Sequence, residues 1–136
     1  MSIDHYNLIV TIVLALHGIA HYGAYIGQIY DQKGLGTGKW KVAKSWLFPD
    51  VYPSTVMRFA GLLWLLCMIA FLGTAMAIRG LLISQDLWEE LGVFAALLSS
   101  IGILIFLGNW PKFNTTAALC INILTLTQVF LDWPLN

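Results

Sequence analysis

Two histidines four residues apart lie in a long apolar stretch near the start of the chain, in the run His17-Gly18-Ile19-Ala20-His21. In an α-helix this spacing puts both imidazoles on one face, about one turn apart. Such a pair can share a divalent metal ion, bind an organic ligand such as a quinone, or hydrogen-bond another helix. A b-type haem fits less well within one chain, because it takes one histidine from each of two facing helices and His5 lies on the same segment.

Cysteines and polar residues in later apolar stretches match these histidines in depth. Asn122 and Thr125 are three residues apart, which places them on one face of a helix. Counted at about 1.5 Å per residue from the ends of the apolar stretches, most of these groups lie roughly 9 to 16 Å deep. We therefore expect a polar pocket in this layer, opening toward the end that carries the first loop. Its candidate ligand-binding residues are His17, His21, Asn122, Thr125, Cys67 and Cys120, and a metal would bind to His17 and His21.

Four apolar stretches must position these side chains. The chain of 136 residues is 59% hydrophobic and 10% charged, whereas soluble domains carry about 25% charged residues. Each stretch is close to the length of about 20 residues that a membrane-spanning helix needs. The four stretches lie near 7–29, 57–79, 88–108 and 114–132. Their apolar runs are continuous, which excludes the alternating pattern of a β-barrel. We predict one domain over 1–136: an all-α, integral membrane, four-helix antiparallel bundle whose first span is retained, since no Lys or Arg precedes it.

Basic residues are concentrated at one end of the predicted bundle. Four spans put both termini on one side, so the first loop (30–56) and the third (109–113) share the other. Six of the seven Lys and Arg residues belong to these loops and their edges, and five of the seven acidic residues lie on the terminal side. Because Lys and Arg favour the cytoplasmic side, we expect cytoplasmic loops and N- and C-termini outside.

The first loop contains a run rich in lysine and tryptophan, 39–49. Trp40, Ala43 and Leu47 recur at helical spacing, so we predict a short interfacial amphipathic helix on the inner leaflet. An irregular basic loop is the alternative. Tryptophan favours this interface because its ring is apolar and its edge donates a hydrogen bond. The residues expected at the lipid interface are Lys39, Trp40, Lys41, Lys44, Trp46 and Trp110.

Two small residues, Gly23 and Gly27, form a GxxxG pattern at the loop end of the first span. Small residues let helix backbones approach closely in lipid, where packing drives helix association. We expect this face to pack against another helix of the same chain. Self-association of two chains is the alternative.

Several short runs together resemble a group of uncharacterised bacterial four-helix membrane proteins, similar in outline to the DoxX-like families. They are His17-Gly18-Ile19-Ala20-His21, Gly61-Leu62-Leu63-Trp64-Leu65-Leu66, Trp110-Pro111-Lys112-Phe113 and Asn122-Ile123-Leu124. The resemblance implies a four-helix bundle in a prokaryotic cytoplasmic membrane. DoxX relatives include subunits linked to quinone-dependent sulfur oxidation, which by analogy favours a quinone or another hydrophobic ligand. The chain departs from the group at Lys112-Phe113-Asn114-Thr115, where a small-residue ending is more usual, and in its lysine-rich first loop.

Three functions remain open on the sequence. The first is an accessory or structural subunit or scaffold, with membrane lipids, other membrane subunits or a second copy as partners. The second is a quinone-, lipid- or metal-binding, redox-linked protein that uses the layer of His17 and His21. The third is a small transporter or proton pathway that acts as an oligomer. Catalysis is not expected, because no nucleophilic triad or deep carboxylate is present, and no sustained basic surface suggests nucleic acid. The simplest reading of the histidines is that they only bond helices together.

Overall fold

The computed structural model describes residues 3–36, 38, 39, 41 and 44–131. Within them, four helices follow one another: α1 (Ile3–Gln32), α2 (Pro53–Ile78), α3 (Trp88–Ile105) and α4 (Lys112–Phe130), with a 3-10 turn at Gln85–Leu87 before α3. Each helix is long and apolar enough to cross a membrane. The predicted all-α four-helix bundle is confirmed, and the chain is a small integral membrane protein.

The helix ends differ by a few residues from the predicted spans. α1 extends past both ends of 7–29, and α2 begins at Pro53. Proline suits the first position of a helix, because an N–H at that position would have no partner within the helix and proline has none. α3 ends at Ile105, three residues before the predicted boundary. The turn that follows requires Gly108, whose φ of +82° is a conformation that residues with a Cβ rarely adopt.

The helices pack in chain order, and the bundle is least closed between its first and last helices. α1 packs mainly on α2, α2 on α3 and α3 on α4, whereas α1 and α4 touch only lightly. α2 is the most buried of the four and α4 the least. Tyr6 near the start of α1 and Leu131 just after α4 line one cavity, so both described ends of the chain lie at the same end of the bundle. The bundle is therefore antiparallel, with a weak seam between α1 and α4.

A close approach of α1 to α2 occurs at Gly18 and not at Gly23 of the GxxxG pattern. A Cβ on Gly18 would lie 2.9 Å from the Cβ of Phe71, so α1 meets α2 there. Gly23, five residues later and about 140° around the helix, is exposed and has no atom within 4 Å of a Cβ built on it. Gly27 is half-buried. The prediction that Gly23 packs against a helix of its own chain is wrong, because α1 turns the Gly18 face toward α2.

The first loop is tied to the turn between α3 and α4. The amide of Lys41 donates to the carbonyl of Asn109 at 3.2 Å, and the Asn109 side chain donates to the carbonyl of Lys44 at 2.7 Å. The indole of Trp46 donates to the carbonyl of Leu104 at 2.7 Å, in the last turn of α3, where carbonyls lack helical partners. These bonds hold the loop across the end of the bundle.

The predicted interfacial helix is not found in the described part of the 39–49 run. Residues 39, 41 and 44–49 form no helix; the Lys41 amide and the Lys44 carbonyl, which a helix would use, bond to Asn109 in the α3–α4 turn. Trp40, Val42 and Ala43, at the centre of the predicted helix, lie outside the described residues. The described basic loop is irregular, with Trp46 68% exposed.

Candidate functional site

The two histidines of α1 are buried and point toward α3 and α4. His17 is 6% exposed and His21 1% exposed, and their ring centroids are 4.4 Å apart. His17 Nε2 lies 3.1 Å from Asn122 Oδ1 on α4. His21 Nε2 lies 2.6 Å from the Ser99 hydroxyl on α3, and His21 Nδ1 lies 2.9 Å from the His17 carbonyl. Of the residues predicted to share a pocket, His17 thus contacts Asn122 directly, whereas His21 reaches Asn122 only through Ser99.

The backbone carbonyl of His17 fixes the direction of every hydrogen bond in this cluster. A carbonyl only accepts, so His21 Nδ1 carries a proton and donates to it. A charged imidazole is costly in hydrocarbon, so His21 Nε2 is unprotonated and the Ser99 hydroxyl donates to it. The Ser99 oxygen is then left to accept from Asn122 Nδ2, at 2.8 Å.

The same reasoning assigns the proton on His17. With Nδ2 of Asn122 directed at Ser99 and at Ser100, 3.0 Å away, Oδ1 of Asn122 faces His17 and accepts from its Nε2–H. The hydrogen bonds thus close into a ring that runs His17, Asn122, Ser99, His21 and back to the His17 backbone. One lone pair is left over: within the described residues, His17 Nδ1 makes no hydrogen bond.

Aromatic rings pack against the cluster on the side of the first loop. The Trp64 and Trp110 rings pack with centroids 4.7 Å apart, and His21 lies 5.6 Å and 5.4 Å from them. Phe71 packs against His17 at 4.6 Å. The two rings lie beside His21 at this end, but the cavity that both histidines line also reaches Trp110, Phe113 and Asn114 at the start of α4. The predicted opening toward the first-loop end therefore stays a prediction. Trp110, expected at the lipid interface, is half-buried in this packing.

The space beside the cluster opens sideways, along the seam between α1 and α4. Two cavities of about 330 Å³ each lie there. They share Val13 and Ile121, and the second is lined by both histidines. Together they run from Tyr6 to Ala24 on α1, about 27 Å at 1.5 Å per residue. We call this surface the α1/α4 groove.

Two of three polar residues in a stripe on α4 line the groove. Asn122, Thr125 and Gln128 are spaced by three residues and share a face. Thr125 lines the groove and donates to the Ile121 carbonyl of its own helix at 2.9 Å. Gln128 also lines the groove, and its Nε2 is buried with no hydrogen-bond partner. Because buried polar groups in folded proteins are nearly always paired, the unpaired amide marks a place for a ligand oxygen.

The two cysteines predicted in the pocket are not part of it. Cys67 is fully buried in an apolar core cluster on α2. Cys120 is exposed on α4 and lines neither half of the groove. Matching depth placed these residues in the right layer, but their helices turn them toward other neighbours.

Sequence reasoning missed Ser99, Ser100 and Gln128 as members of the site. Ser99 is fully buried and bonds both His21 and Asn122. The adjacent serines interrupt an otherwise apolar span, and polar residues inside a span are costly unless they bond within the protein. The two serines in an apolar span could therefore have been predicted to bond within the protein, but the sequence does not indicate which helix they face.

A metal on His17 and His21 would have few protein ligands. Within the described residues, no group of three or more His, Cys, Asp or Glu side chains is placed to hold a metal ion. Both Nε2 atoms already make hydrogen bonds. The metal site therefore stays a prediction that the geometry does not favour.

The residues expected at the lipid interface fall into three groups. Lys39, Lys41, Lys44 and Trp46 are exposed at the first-loop end, Trp110 is half-buried as described above, and Trp40 lies outside the described residues.

Comparison of this chain with protein-family models, with curated proteins and with solved structures gave no match.

Proposed function

We propose that this protein binds an isoprenoid quinone or its quinol form in the α1/α4 groove. One observation carries the proposal: an unpaired donor, Gln128 Nε2, and an open acceptor, His17 Nδ1, both belong to residues that line one apolar groove within the membrane. The long apolar chain of such a ligand would lie along the groove, and its ring oxygens would meet the polar stripe of α4.

The position of the groove suits a ligand that arrives through the lipid. The groove follows the seam where α1 and α4 touch only lightly, and most of its lining is apolar, including Val13 and Ile121. Its length of about 27 Å is close to the roughly 30 Å of a bilayer core. A chain-bearing ligand can therefore enter sideways without crossing water.

The two open groups match both redox forms of a quinone. A quinone carbonyl accepts a hydrogen bond, which the Gln128 amide would donate. A quinol hydroxyl donates one, which His17 Nδ1 would accept while Asn122 holds the opposite ring nitrogen protonated. The ester carbonyls of a phospholipid accept but do not donate. The resemblance to DoxX-like proteins points to the same ligand class.

Extraction of the purified protein with organic solvent tests the proposal. We expect wild-type protein in mild detergent to retain about one quinone per chain, and His17→Ala and Gln128→Leu to retain much less. Cys120→Ala is the matched control, since Cys120 lies on α4 outside the groove. Wild-type protein that retains only phospholipid, or equal quinone content in all four proteins, would refute the proposal.

A second candidate is an accessory or structural subunit, and Gly23 favours it. This glycine has open space around it on the outer face of α1, where a helix of another subunit or a second copy could approach closely. Gly23→Leu would then release a co-purifying partner or convert a dimer to a monomer. A wild-type chain that runs alone at all concentrations would exclude this role.

A proton pathway has less support. The hydrogen bonds of the cluster return to the His17 backbone, so within the described residues they do not lead to either side of the membrane.

For the orientation, we propose a prokaryotic cytoplasmic membrane with the first loop in the cytoplasm, because Lys and Arg are concentrated at the first-loop end.

A further inference from the structure

A second amphiphilic cavity lies at the first-loop end, away from the α1/α4 groove. Its outer part has a volume of about 500 Å³, and Lys44, Ser45 and Asp50 add polar groups to a lining that is otherwise mostly apolar. An adjoining cavity of about 180 Å³ shares Phe48, Val51 and Val56 with it. The two cavities therefore join a polar opening to an apolar interior.

The polar opening presents charges of both signs. Lys44 and Asp50 are exposed, and neither forms an ion pair with a described residue. An ammonium and a carboxylate that share a cavity without neutralising each other can each bind an opposite charge of one ligand. The ligand would carry a negative and a positive group a few bonds apart.

Ser45 adds a buried hydroxyl to this opening. It is 6% exposed and lines the cavity. Its oxygen accepts from the amide of Leu47 at 3.2 Å, and its hydroxyl hydrogen is donated to no described group. A buried hydroxyl normally donates to a partner, so a ligand oxygen here would complete its hydrogen bonding.

The start of α2 supplies a favourable field for an anion. Pro53, its first residue, lines the cavity. Tyr52 precedes the helix and makes no side-chain hydrogen bond to its amides. Pro53 has no N–H, and the amides of Thr55 and Val56 donate to the Tyr52 carbonyl, so it is the helix dipole that favours negative charge at this terminus. The phosphate of a ligand would thus lie between α2, Lys44 and Ser45.

The adjoining cavity suits a hydrocarbon chain. It is lined by Phe59 of α2 and by Phe106, just after α3, as well as by the three shared residues. Phe48, Phe59 and Val51 are each at least 40% exposed, on the flank of the bundle that faces lipid. The chain would leave the polar opening and run directly into the bilayer.

From these features we infer that the cavity binds one zwitterionic phospholipid with a primary ammonium, of the phosphatidylethanolamine type. The phosphate contacts Lys44, Ser45 and the α2 terminus, and the ammonium contacts the Asp50 carboxylate. A trimethylated choline head cannot donate hydrogen bonds to Asp50, and a glycerol head has no positive charge for it. The site therefore distinguishes lipids by head group. It does not depend on the proposed quinone groove, with which it shares no lining residue.

Native mass spectrometry of the delipidated protein tests the inference. Dioleoyl lipids with ethanolamine, choline or glycerol heads are added at equal concentrations. We expect one tightly held ethanolamine lipid, favoured over the other two by about two- to five-fold, the range of an exposed charge pair. Asp50→Asn should remove the preference over choline, and Lys44→Gln should weaken binding of all three lipids.

Two control variants separate this site from other effects. Asp86→Asn removes an exposed acid that does not line the cavity and should keep the preference, and His17→Ala should also keep it, whatever happens to quinone binding. Equal binding of the three lipids by wild-type protein would overturn the inference. So would glycerol lipid bound best, or a preference that survives Asp50→Asn.

Discussion

The hydroxyl of Ser99 on α3 lies 2.6 Å from Nε2 of His21 on α1 and donates a hydrogen bond to it. The same oxygen accepts from Asn122 on α4 at 2.8 Å. One small side chain thus links three helices at the centre of the bundle. Each partner is buried, so each bond satisfies a polar group that the surrounding hydrocarbon cannot hydrogen-bond.

Loss of the Ser99 hydroxyl should destabilise the protein more than loss of its neighbour. Ser99→Ala leaves His21 Nε2 and one Asn122 proton unpaired, at a cost of about 1–3 kcal/mol. For a chain of this size we expect a melting temperature lower by roughly 3 to 12 °C, measured by a thermal shift assay in detergent. Ser100→Ala removes a single bond and should shift it less. Equal shifts would contradict the assigned roles.

Opposite histidine tautomers are a second prediction. The ring of hydrogen bonds requires a proton on Nε2 of His17 and on Nδ1 of His21. Nitrogen chemical shifts of protein labelled with 15N-histidine distinguish the two forms, and His17→Ala and His21→Ala assign the signals. The same tautomer at both positions, or a doubly protonated ring at neutral pH, would be inconsistent with the assigned directions.

Two glycines of α1 should respond in opposite ways to alanine. Gly18→Ala places a Cβ 2.9 Å from Phe71 and 3.0 Å from the Met68 carbonyl, and such overpacking costs about 1–3 kcal/mol. Gly23→Ala meets open space and should be neutral or stabilising by up to about 1 kcal/mol, because alanine favours helix. Thermal unfolding of both variants checks this, and a loss at Gly23 as large as at Gly18 would show that its face is covered by a partner.

Orientation can be tested with single cysteines in intact cells. In a background with Cys67→Ser and Cys120→Ser, a membrane-impermeant maleimide should label Asp86→Cys and leave Lys33→Cys unlabelled until the cells are opened. This follows from the excess of basic residues at the first-loop end. The reverse labelling pattern would place the termini in the cytoplasm.

The helices and the histidine pair could be predicted from the sequence, but the partners of the pair could not. Length and apolar composition determine that four helices form. They do not determine how far α3 is rotated about its axis, because residues 91–98 are apolar around the whole helix. That rotation decides whether Ser99 meets His21 or lipid. Depth alone therefore grouped Cys120 with His17, although the two residues face different surroundings.

The groove and the first loop depend on contacts that no local pattern encodes. The groove exists because α1 and α4 pack loosely, which is a property of the assembled bundle. In the first loop, helical spacing competes with hydrogen bonds from Asn109 and to Leu104. These tertiary bonds prevail in the described residues, because they satisfy polar groups at the end of α3.

Equilibrium titration with a short-chain quinol tests the central claim most directly. The protein is reconstituted in nanodiscs, and binding is followed by quenching of tryptophan fluorescence, since Trp110 lines the groove. We predict saturable binding to wild-type protein and to Cys120→Ala, weakened about five-fold or more in His17→Ala and in Gln128→Leu, the loss expected for a buried hydrogen bond of about 1 kcal/mol. Binding of equal strength in all four proteins would contradict the assignment of the groove as a quinone site.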